Sequence, residues 1–456
     1  MRSTDFSDTI VALATPQGVG ALAIIRLSGN DSISIVNSIF KGKNLDTVTT
    51  HTLHFGTIRD KDRIIDEVLI SVFKGTNSFT KEESIEISCH GSMLIVKEII
   101  KLLVSKGARL ANPGEFTQRA FLHGKFDLAQ AEAVADLIHA NSEAARKTAL
   151  DQMRGGFSND IKLLREELIH FASMIELELD FGEEDVEFAN RDQLKDLINK
   201  LLVKINALIN SFDLGNVIKN GVPTVIAGKP NAGKSTLLNA LLKEDKAIVS
   251  EIAGTTRDTI EDEISMGGVS FRFIDTAGLR DTTDTIEAMG VARAKQQMEK
   301  ASLILYILDL TAESVKEVKT AKNELENQPI PYLLIGNKSD LISKEQLKSL
   351  SGFEINFLSA KSGDGLTKLE DTILDKVNAK ALQTNDTVVT NLRHHQQLIL
   401  TKESLEAVIN GIDSSITNDF VAQDIRHSLH HLGEITGEIS TDDLLENIFR
   451  KFCIGK

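Results

Sequence analysis

The 456-residue chain contains no tryptophan and two tyrosines, and aromatic residues make up 5% of it. Single-stranded nucleic acids are often held by bases stacked on aromatic rings, so this shortage disfavours an aromatic base-stacking platform. There are only two cysteines, Cys89 and Cys453. Two are too few for a disulfide framework, which predicts a reducing, cytoplasmic location.

Long apolar runs are also missing. No run reaches the roughly 18 residues of a membrane span. Residues 1–8 are polar and do not resemble a signal peptide, so we expect no membrane association. The net charge is −15, which excludes a polycationic nucleic-acid binder. Any contact with nucleic acid would need a local basic patch or a partner subunit.

A phosphate-binding motif stands near the middle of the chain. Residues 228–235 read G-x-x-x-x-G-K-S, between an apolar run at 222–227 and a helix-like run at 236–242. This strand–loop–helix context is the one that the P-loop requires. The glycines let backbone N–H groups surround a phosphate, Lys234 would reach the outer phosphates, and the Ser235 hydroxyl would ligate Mg²⁺.

Further nucleotide motifs follow in order. Residues 254–258 read G-T-T-R-D, residues 275–278 read D-T-A-G, residues 337–340 read N-K-S-D and residues 359–361 read S-A-K. Asp275 can hold the Mg²⁺ shell, and the Gly278 N–H can meet the γ-phosphate. Asp340 can accept both guanine N–H groups, which adenine does not offer. Together the motifs predict GTP binding.

The predicted GTP-binding residues are Asn231, Ala232, Gly233, Lys234, Ser235, Thr236, Ser250, Thr255, Thr256, Asp275, Thr276, Ala277, Gly278, Asn337, Lys338, Asp340, Ser359, Ala360 and Lys361. Ser235 and Thr256 are the predicted ligands of Mg²⁺.

The chain as a whole predicts an α/β multidomain protein. Hydrophobic periodicity divides it into a mixed α/β domain at 1–120, helices at 121–215, alternating strands and helices at 216–380, and helices again at 381–456. Alternating strands and helices predict a doubly wound, mostly parallel sheet. Since helical segments flank it on both sides, the GTPase domain is predicted to be inserted into a helical domain.

Local patterns predict individual elements within these segments. Predicted strands of the first domain are 9–14, 21–26, 68–73 and 85–88, and a predicted helix is 93–106. Predicted helices near the C-terminus are 398–409, 420–435 and 441–451. Taken alone, Arg26 and Glu86 would be interpreted as charges at sheet edges.

Two clusters have residue types that bind metals. His427, His430 and His431 fall about one turn apart on a predicted helix, and residues 183–187 are acidic. No fourth ligand accompanies the histidines, so a polar helix face is the favoured interpretation. The acidic stretch is interpreted as a solvated connection between helices.

The chain resembles the tRNA modification GTPases of the MnmE (TrmE) family along its whole length. The resemblance is carried by the P-loop with Asn231, the G-T-T-R-D loop at 254–258, the inserted GTPase domain, and the ending F-C-I-G-K at 452–456. Other matching segments are 23–29, 78–80, 89–91, 113–117, 119–122 and 127–133.

The resemblance implies a homodimer formed through an N-terminal domain with a tetrahydrofolate-binding fold. With an FAD-binding partner, MnmG, the family forms an aminomethyl or 5-carboxymethylaminomethyl group on the wobble uridine of tRNA, and a tetrahydrofolate derivative supplies the carbon. The matching folate residues are Arg26, Glu86, Lys125 and Lys456. Cys453, in the tail, is a candidate catalytic residue, and its alternative role is positioning.

The resemblance also implies a K⁺-dependent hydrolysis mechanism. Signalling GTPases place a water-orienting Gln directly after the D-x-x-G motif, and here Leu279 stands there. A K⁺ ion near the phosphates would supply positive charge, and its matching ligands are Asn231, Ser250, Ile252 and Thr255. Glu287 and Lys234 are the candidate catalytic residues. From the residues alone, a solvated loop carboxylate is the favoured interpretation of Glu287.

Two alternatives come from other functional classes. A ribosome-assembly switch GTPase would share every nucleotide motif, but it would need neither a folate domain nor the C-x-G-K ending. A membrane-associated signalling GTPase is disfavoured, since the sequence has no lipidation signal and no basic amphipathic helix. Binding of a reduced folate would separate the first alternative from the tRNA-modifying enzyme.

Overall fold

The computed structural model describes residues 7–180, 191–245, 262–274, 301–377, 387–414 and 417–455. Their backbone divides into two compact units. The first unit comprises Met1–Ile138, Leu150–Val203 and Gln397–Lys456, and the second comprises His139–Ala149 and Lys204–Gln396. The predicted domains 1–120, 121–215, 216–380 and 381–456 stay a prediction.

A seven-stranded mixed sheet forms the N-terminal part of the first unit, in the order β3-β4-β5-β6-β2-β1-β7. The strands are β1 (Ile10–Leu13), β2 (Leu22–Ser28), β3 (Phe40–Lys41), β4 (Thr52–Asp60), β5 (Arg63–Phe73), β6 (Ser84–His90) and β7 (Arg109–Leu110). All pairs are antiparallel except β1 with β7. The mixed α/β prediction for this segment is confirmed.

Alternation of side chains gives this sheet one buried face. Ile25 and Leu27 of β2 and Ile85 and Ile87 of β6 are completely buried, and their neighbours on the opposite face are more exposed. Helix α2 (Met93–Ser105) covers the buried face with Val96, Ile99 and Leu103, one side of a helix. Helix α1 (Ser32–Asn37) adds to the same core.

Arg26 and Glu86 do not lie at a sheet edge. They face each other across β2 and β6, two interior strands of the sheet. The interpretation of both residues as edge charges was therefore wrong. The physical cause is that predicting strands does not give their order in the sheet. The structure places β2 and β6 next to each other, with β1 and β5 as their outer neighbours.

Amphipathic helices form the rest of the first unit and continue into the second. They are α3 (Glu115–Leu122), α4 (Leu128–His139), α5 (Glu143–Met153), α6 (Gly156–Asp180), α7 (Arg191–Asn210), α8 (Phe212–Asn220) and α9 (Lys234–Asp245). Next come α10 (Val315–Glu326), α11 (Lys344–Ser349), α12 (Leu366–Lys376), α13 (Leu392–Asp413), α14 (Asn418–Thr436) and α15 (Asp442–Phe449). Short 3₁₀ turns occur at Leu45–Thr47 and Ser339–Leu341. Helices α6 and α14 pack together, as the predicted helical periodicity requires.

Within the described residues, one helical stretch, Arg191–Asn220, is long and apolar enough to cross a membrane. A core helix of a soluble protein passes the same test. Its α7 portion buries Leu194, Ile198, Leu201 and Ile205 completely, at intervals of three or four residues. That spacing is typical of a helix with one face in a protein core, so the stretch is weak evidence for a membrane span.

A six-stranded sheet forms the centre of the second unit, in the order β13-β12-β11-β8-β10-β9. Its strands are β8 (Val222–Ala227), β9 (Asp262–Met266), β10 (Val269–Phe273), β11 (Leu303–Asp309), β12 (Tyr332–Asn337) and β13 (Ile355–Phe357). All pairs are parallel except the β9–β10 hairpin.

Helices cover both faces of this sheet. Alternate residues of β11 contribute to two separate cores, Leu305 and Ile307 to one and Ile304 and Leu308 to the other. Helices α9 and α12 pack in the first core and α10 in the second. The predicted doubly wound, mostly parallel sheet is therefore confirmed. This arrangement leaves the carboxyl ends of β8, β11 and β12 at one edge, where ligands bind in such sheets.

Candidate functional site

The P-loop connects β8 to α9 through a tightly turned backbone. Gly228 and Gly233 have φ angles of 144° and 100°, and Asn231 adopts a left-handed φ of 61°. A Cβ at Gly228 would lie 2.3 Å from the Ile307 carbonyl oxygen. A Cβ at Gly233 would lie 2.2 Å from Nδ2 of Asn337. Both positions therefore require glycine, as the motif predicted.

Lys234, the first residue of α9, folds back across this loop. Its Nζ donates to the carbonyl oxygens of Gly228 at 2.9 Å and Lys229 at 2.8 Å. Burial lowers the pKa of Lys234. Ser235 and Thr236 follow in the first turn of α9. The ammonium, the helix N-terminus and the hydroxyls are thus gathered where a phosphate chain with Mg²⁺ fits.

Asn337 joins the three nucleotide loops. Its buried Nδ2 donates to the Ala232 carbonyl oxygen at 2.8 Å, and its Oδ1 accepts from the Ala360 N–H at 3.0 Å. One amide therefore ties the P-loop and the S-A-K loop to the N-K-S-D loop. Ser339 N–H adds a bond to the Leu358 carbonyl oxygen at 3.1 Å.

Asp309, at the carboxyl end of β11, is a residue that the sequence prediction missed. Its Oδ2 accepts from Lys338 Nζ at 2.5 Å, and its Oδ1 accepts from Thr311 N–H at 3.0 Å and Thr311 Oγ1 at 2.6 Å. Burial opposes ionisation, but the bonds from Lys338 and Thr311 outweigh it and lower the pKa of Asp309. An aspartate that ends an apolar strand between two motif strands was the available signal.

The base-recognition residues lie on the same edge of the sheet. Lys338 has a left-handed φ of 62°, and Asp340 follows in an exposed 3₁₀ turn. Ser359 is buried, and its N–H donates to the Asp364 carbonyl oxygen at 2.9 Å, while Lys361 is exposed. Of the predicted GTP residues, those from Asn231 to Thr236 and those of the two later loops are brought together.

The remaining predicted residues of the nucleotide and tail sites lie outside the described residues. They are Ser250, Ile252, Thr255, Thr256, Asp275, Thr276, Ala277, Gly278, Leu279, Glu287 and Lys456, as well as the acidic stretch 183–187. Their assignments stay predictions.

Three of the predicted folate residues lie together in the first unit, and two of them, Arg26 and Lys125, contact the same aromatic ring. Arg26 and Glu86 form an ion pair, with Nε and Nη2 at 2.9 and 2.8 Å from Oε1. The Arg26 guanidinium lies over the rings of Phe79 and Phe116, at 5.4 and 5.8 Å from their centroids. Lys125 Nζ lies 6.0 Å from the Phe79 centroid.

Lys125 is held by the same loop. Its Nζ donates to the Ser78 carbonyl oxygen at 2.5 Å. Burial, and then the Lys81 ammonium, lower its pKa. Phe79, which the sequence prediction quoted only as part of a family segment, is the residue that both cations share. A loop phenylalanine gives no signal of that kind in the sequence.

The C-terminal tail packs against the same unit. The Gly114 N–H donates to the Cys453 carbonyl oxygen at 3.3 Å. Gly455 has φ 94°, and a Cβ there would lie 2.2 Å from the Leu13 carbonyl oxygen. The tail therefore lies beside β1, the strand next to Arg26. Cys453 is exposed. The other cysteine, Cys89, is buried, and this burial, together with the smaller effect of the nearby Asp66 carboxylate, raises the pKa of its thiol to about 11.

Two histidines of α14 contact polar neighbours. Nδ1 of His431 pairs with Oε1 of Gln397 at 2.9 Å, and His430 lies 3.6 Å from Glu434. Within the part of the chain that the structure describes, no group of three or more His, Cys, Asp or Glu residues could hold a metal ion. The interpretation of the histidines as a polar helix face stays a prediction.

Comparison with known proteins agrees with this geometry. Residues 9–125 match the family model described as the GTP-binding protein TrmE N-terminus, and residues 128–453 match the MnmE helical domain. A protein of Cytophaga hutchinsonii, named tRNA modification GTPase MnmE, is 58% identical over 454 residues, 99% of each chain. The chain belongs to the MnmE (TrmE) family.

Other relatives of the MnmE family give the same result. The tRNA modification GTPase MnmE of Christiangramia forsetii is 52% identical over 473 residues, 99% of each chain. Among solved structures, the FeoB G-domain from Methanococcus jannaschii is 26% identical in sequence. The match covers 34% of this chain and 98% of that G-domain, and its TM-score of 0.25 is too low to support an argument.

The relatives of the MnmE family decide the enzymatic class. The chain is a tRNA modification GTPase, and its enzymatic class is GTP hydrolase.

Proposed function

We propose that this chain is a K⁺-dependent GTPase that acts with the FAD-binding partner MnmG. Together they form a 5-carboxymethylaminomethyl or aminomethyl group on the wobble uridine of certain tRNAs. One observation carries the proposal: the same chain contains guanine-type nucleotide loops joined by Asn337 and a cluster of Arg26, Glu86 and Lys125 around Phe79.

The nucleotide loops support binding of GTP and Mg²⁺. A side chain at Gly228 or Gly233 would clash with neighbouring atoms, so the P-loop backbone can turn tightly only with glycine at these positions. Backbone N–H groups in such tight turns can bind an anion. Lys234 would turn from the loop carbonyls to the outer phosphates. Ser235 and Thr256 would hold Mg²⁺, which neutralises the developing charge. Asp340, exposed in its turn, would select guanine.

Asn231 supports the K⁺ part of the proposal. Its left-handed backbone places it at the turn of the P-loop, and its side chain is exposed. Its amide oxygen, with Ser250, Ile252 and Thr255, would hold K⁺, which supplies positive charge at the phosphates. Glu287 would orient the attacking water. This division of roles fits a chain with Leu279 in the position of the usual glutamine.

The first unit supports binding of a tetrahydrofolate derivative. Arg26 is held by Glu86, so its remaining donors are pre-oriented for a carboxylate of the glutamyl group. Lys125 adds a second cation, and the docked tail would bring Lys456 to the same region. Cys453 lies exposed in that tail, where it would take part in the chemistry or position it.

An exposed apolar face supports a homodimer formed through this unit. Leu53 and Phe55 of β4 and Leu69 of β5 have 58%, 66% and 40% of their surface exposed. Cross-strand pairing places Leu53, Ser71, Glu86 and Arg26 in one row. The apolar residues therefore share the sheet face of the proposed folate site, and a second copy would cover them.

Two measurements test the proposal. GTP hydrolysis should be about 10²-fold faster in K⁺ than in Na⁺ at equal ionic strength, since one well-placed charge is worth a few kcal/mol. Asn231→Ala should lose this stimulation and still bind GTP. Equal rates in the two salts would contradict the K⁺ assignment. Titration with tetrahydrofolate addresses the alternative, because a ribosome-assembly switch would not bind it.

A further inference from the structure

The loop between β5 and β6 has a part in the proposed folate site that its sequence does not show. Residues 78–82, called the Phe79 loop below, carry the ring that both Arg26 and Lys125 contact, at 5.4 and 6.0 Å from its centroid. Phe79 is only partly buried, and Phe126 is its aromatic neighbour at 5.8 Å. The position of this loop therefore sets where the Phe79 ring meets the two cations.

The Phe79 loop is fixed from outside by the residues that follow α3. Lys125 Nζ donates to the Ser78 carbonyl oxygen at 2.5 Å, and Lys81 Nζ donates to the Gly124 carbonyl oxygen at 2.8 Å. Between these two contacts, Nδ1 of His123 lies 2.8 Å from the Thr80 carbonyl oxygen. A carbonyl oxygen only accepts, so Nδ1 of His123 carries the hydrogen.

The far end of the loop is fixed by a buried ion pair. Arg119 of α3 is fully buried and lies 3.2 Å from Glu82, 2.6 Å from Asp8 and 3.0 Å from Glu115. Glu82 also accepts from Ser28 Oγ at 2.6 Å. Such buried pairs add little net stability, and they hold their partners in one geometry. Arg119 thus anchors the end of the loop. In the middle of the loop, Thr80 Oγ1 lies 2.5 Å from Ser28 Oγ, and His123 holds the Thr80 carbonyl oxygen.

We propose that His123 is a positioning residue for the tetrahydrofolate site. Through its bond to the Thr80 carbonyl oxygen it holds the Phe79 loop where the Phe79 ring contacts both Arg26 and Lys125. The inference rests on the proposed folate function. His123 is exposed at the end of α3, so replacing it removes this bond without opening the core.

The test compares His123→Ala with His123→Asn in the full-length protein. An asparagine Nδ2 donates from about the place of the histidine Nδ1, so it preserves the bond. The dissociation constant of tetrahydrofolate should rise about fivefold in His123→Ala, the usual effect of one hydrogen bond, and stay within about twofold in His123→Asn. GTP hydrolysis should be unchanged in both.

Hydrogen exchange of a peptide that covers residues 78–82 is the second readout. Exchange should be faster in His123→Ala and restored in His123→Asn. Unchanged folate affinity or unchanged exchange in His123→Ala would overturn the proposal. Should the unmutated protein fail to bind tetrahydrofolate, the folate function itself is wrong. In that case, faster exchange in His123→Ala would show only that His123 holds the loop. The proposed role of His123 in positioning a folate site would then be wrong as well.

Discussion

The nucleotide loops and the cation cluster of the first unit are built in different ways. In the nucleotide loops, backbone conformation dominates: Asn231, Gly233 and Lys338 all have positive φ angles, and one amide, Asn337, joins the three loops. In the first unit, side chains from separate elements converge on Phe79. The first kind of site is sensitive to any added atom, and the second to charge and hydrogen-bond geometry.

The comparison also separates what a motif can encode from what only a fold can assemble. The P-loop is eight consecutive residues, so its spacing alone specifies the turn. The cation cluster draws on strands β2 and β6, the β5–β6 loop and the end of α3. Damage to one site should therefore leave the other working, and the following predictions test this separation.

The largest effect is expected from Gly233→Ala. A Cβ there would lie 2.2 Å from Nδ2 of Asn337, and the φ of 100° is strained for alanine. Fluorescent GTP analogues should bind more than about 100-fold more weakly, because the P-loop would lose both its turn and its amide bridge. Gly352→Ala is the matched control, since nothing lies within 4 Å of a Cβ at that position. Equal affinity in the two variants would refute the amide-bridge account.

Asp340→Asn should weaken GTP binding by about 10²-fold and improve binding of xanthosine triphosphate. The carboxylate accepts two guanine N–H groups, whereas an amide offers one donor and one acceptor side. Competition titrations with the two nucleotides measure the change. If GTP remains preferred, the base is recognised elsewhere.

Arg26→Lys should weaken tetrahydrofolate binding about tenfold and leave GTP hydrolysis unchanged. A lysine could pair with Glu86, but it lacks the planar guanidinium group that keeps further N–H donors oriented toward a second carboxylate. Arg63→Lys is the control, because Arg63 pairs with Glu98 on the surface of the same sheet. A similar loss in both variants would show a general charge effect in place of a specific site.

The smallest effect is expected from Asp309→Asn, which removes the charge that holds Lys338. GTP affinity should fall about three- to tenfold. The pKa of Asp309 is lowered in the folded protein. The stabilisation that its ionised carboxylate provides is therefore complete above the ordinary pKa of an aspartate, and it is lost only as pH falls through the lowered value. The difference between the two proteins should therefore stay constant from about pH 5 to 8, as GTP titrations at several pH values can check. A difference that changes across this range would contradict the assignment.

Much of the second unit was predictable from the sequence. The β8–α9 junction and the N-K-S-D and S-A-K loops lie where the motifs placed them, since each motif is short and follows a strand. Asp309 was missed because its role depends on Lys338, 29 residues later in the chain.

The first unit was less predictable. Strand β4 was not predicted from the sequence, because Leu53 and Phe55 are apolar and exposed, while Ile58 on the other face is apolar and buried. The alternation of apolar and polar residues that normally indicates a strand is therefore blurred. Phe79 has no neighbouring motif residue that specifies its contacts. Only the folded sheet brings Arg26 and Lys125 to its ring.

The most direct test of the whole account is mass spectrometry of tRNA wobble uridines. Cells would carry the unmutated protein, Gly233→Ala, Arg26→Ala or a chain without residues 455–456. We predict that all three variants lose the modification. The purified Arg26→Ala and truncated proteins should still hydrolyse GTP at nearly the normal rate, because the nucleotide loops belong to the other unit. Fully modified wobble uridines in cells that carry Gly233→Ala, Arg26→Ala or the truncated chain would contradict the account.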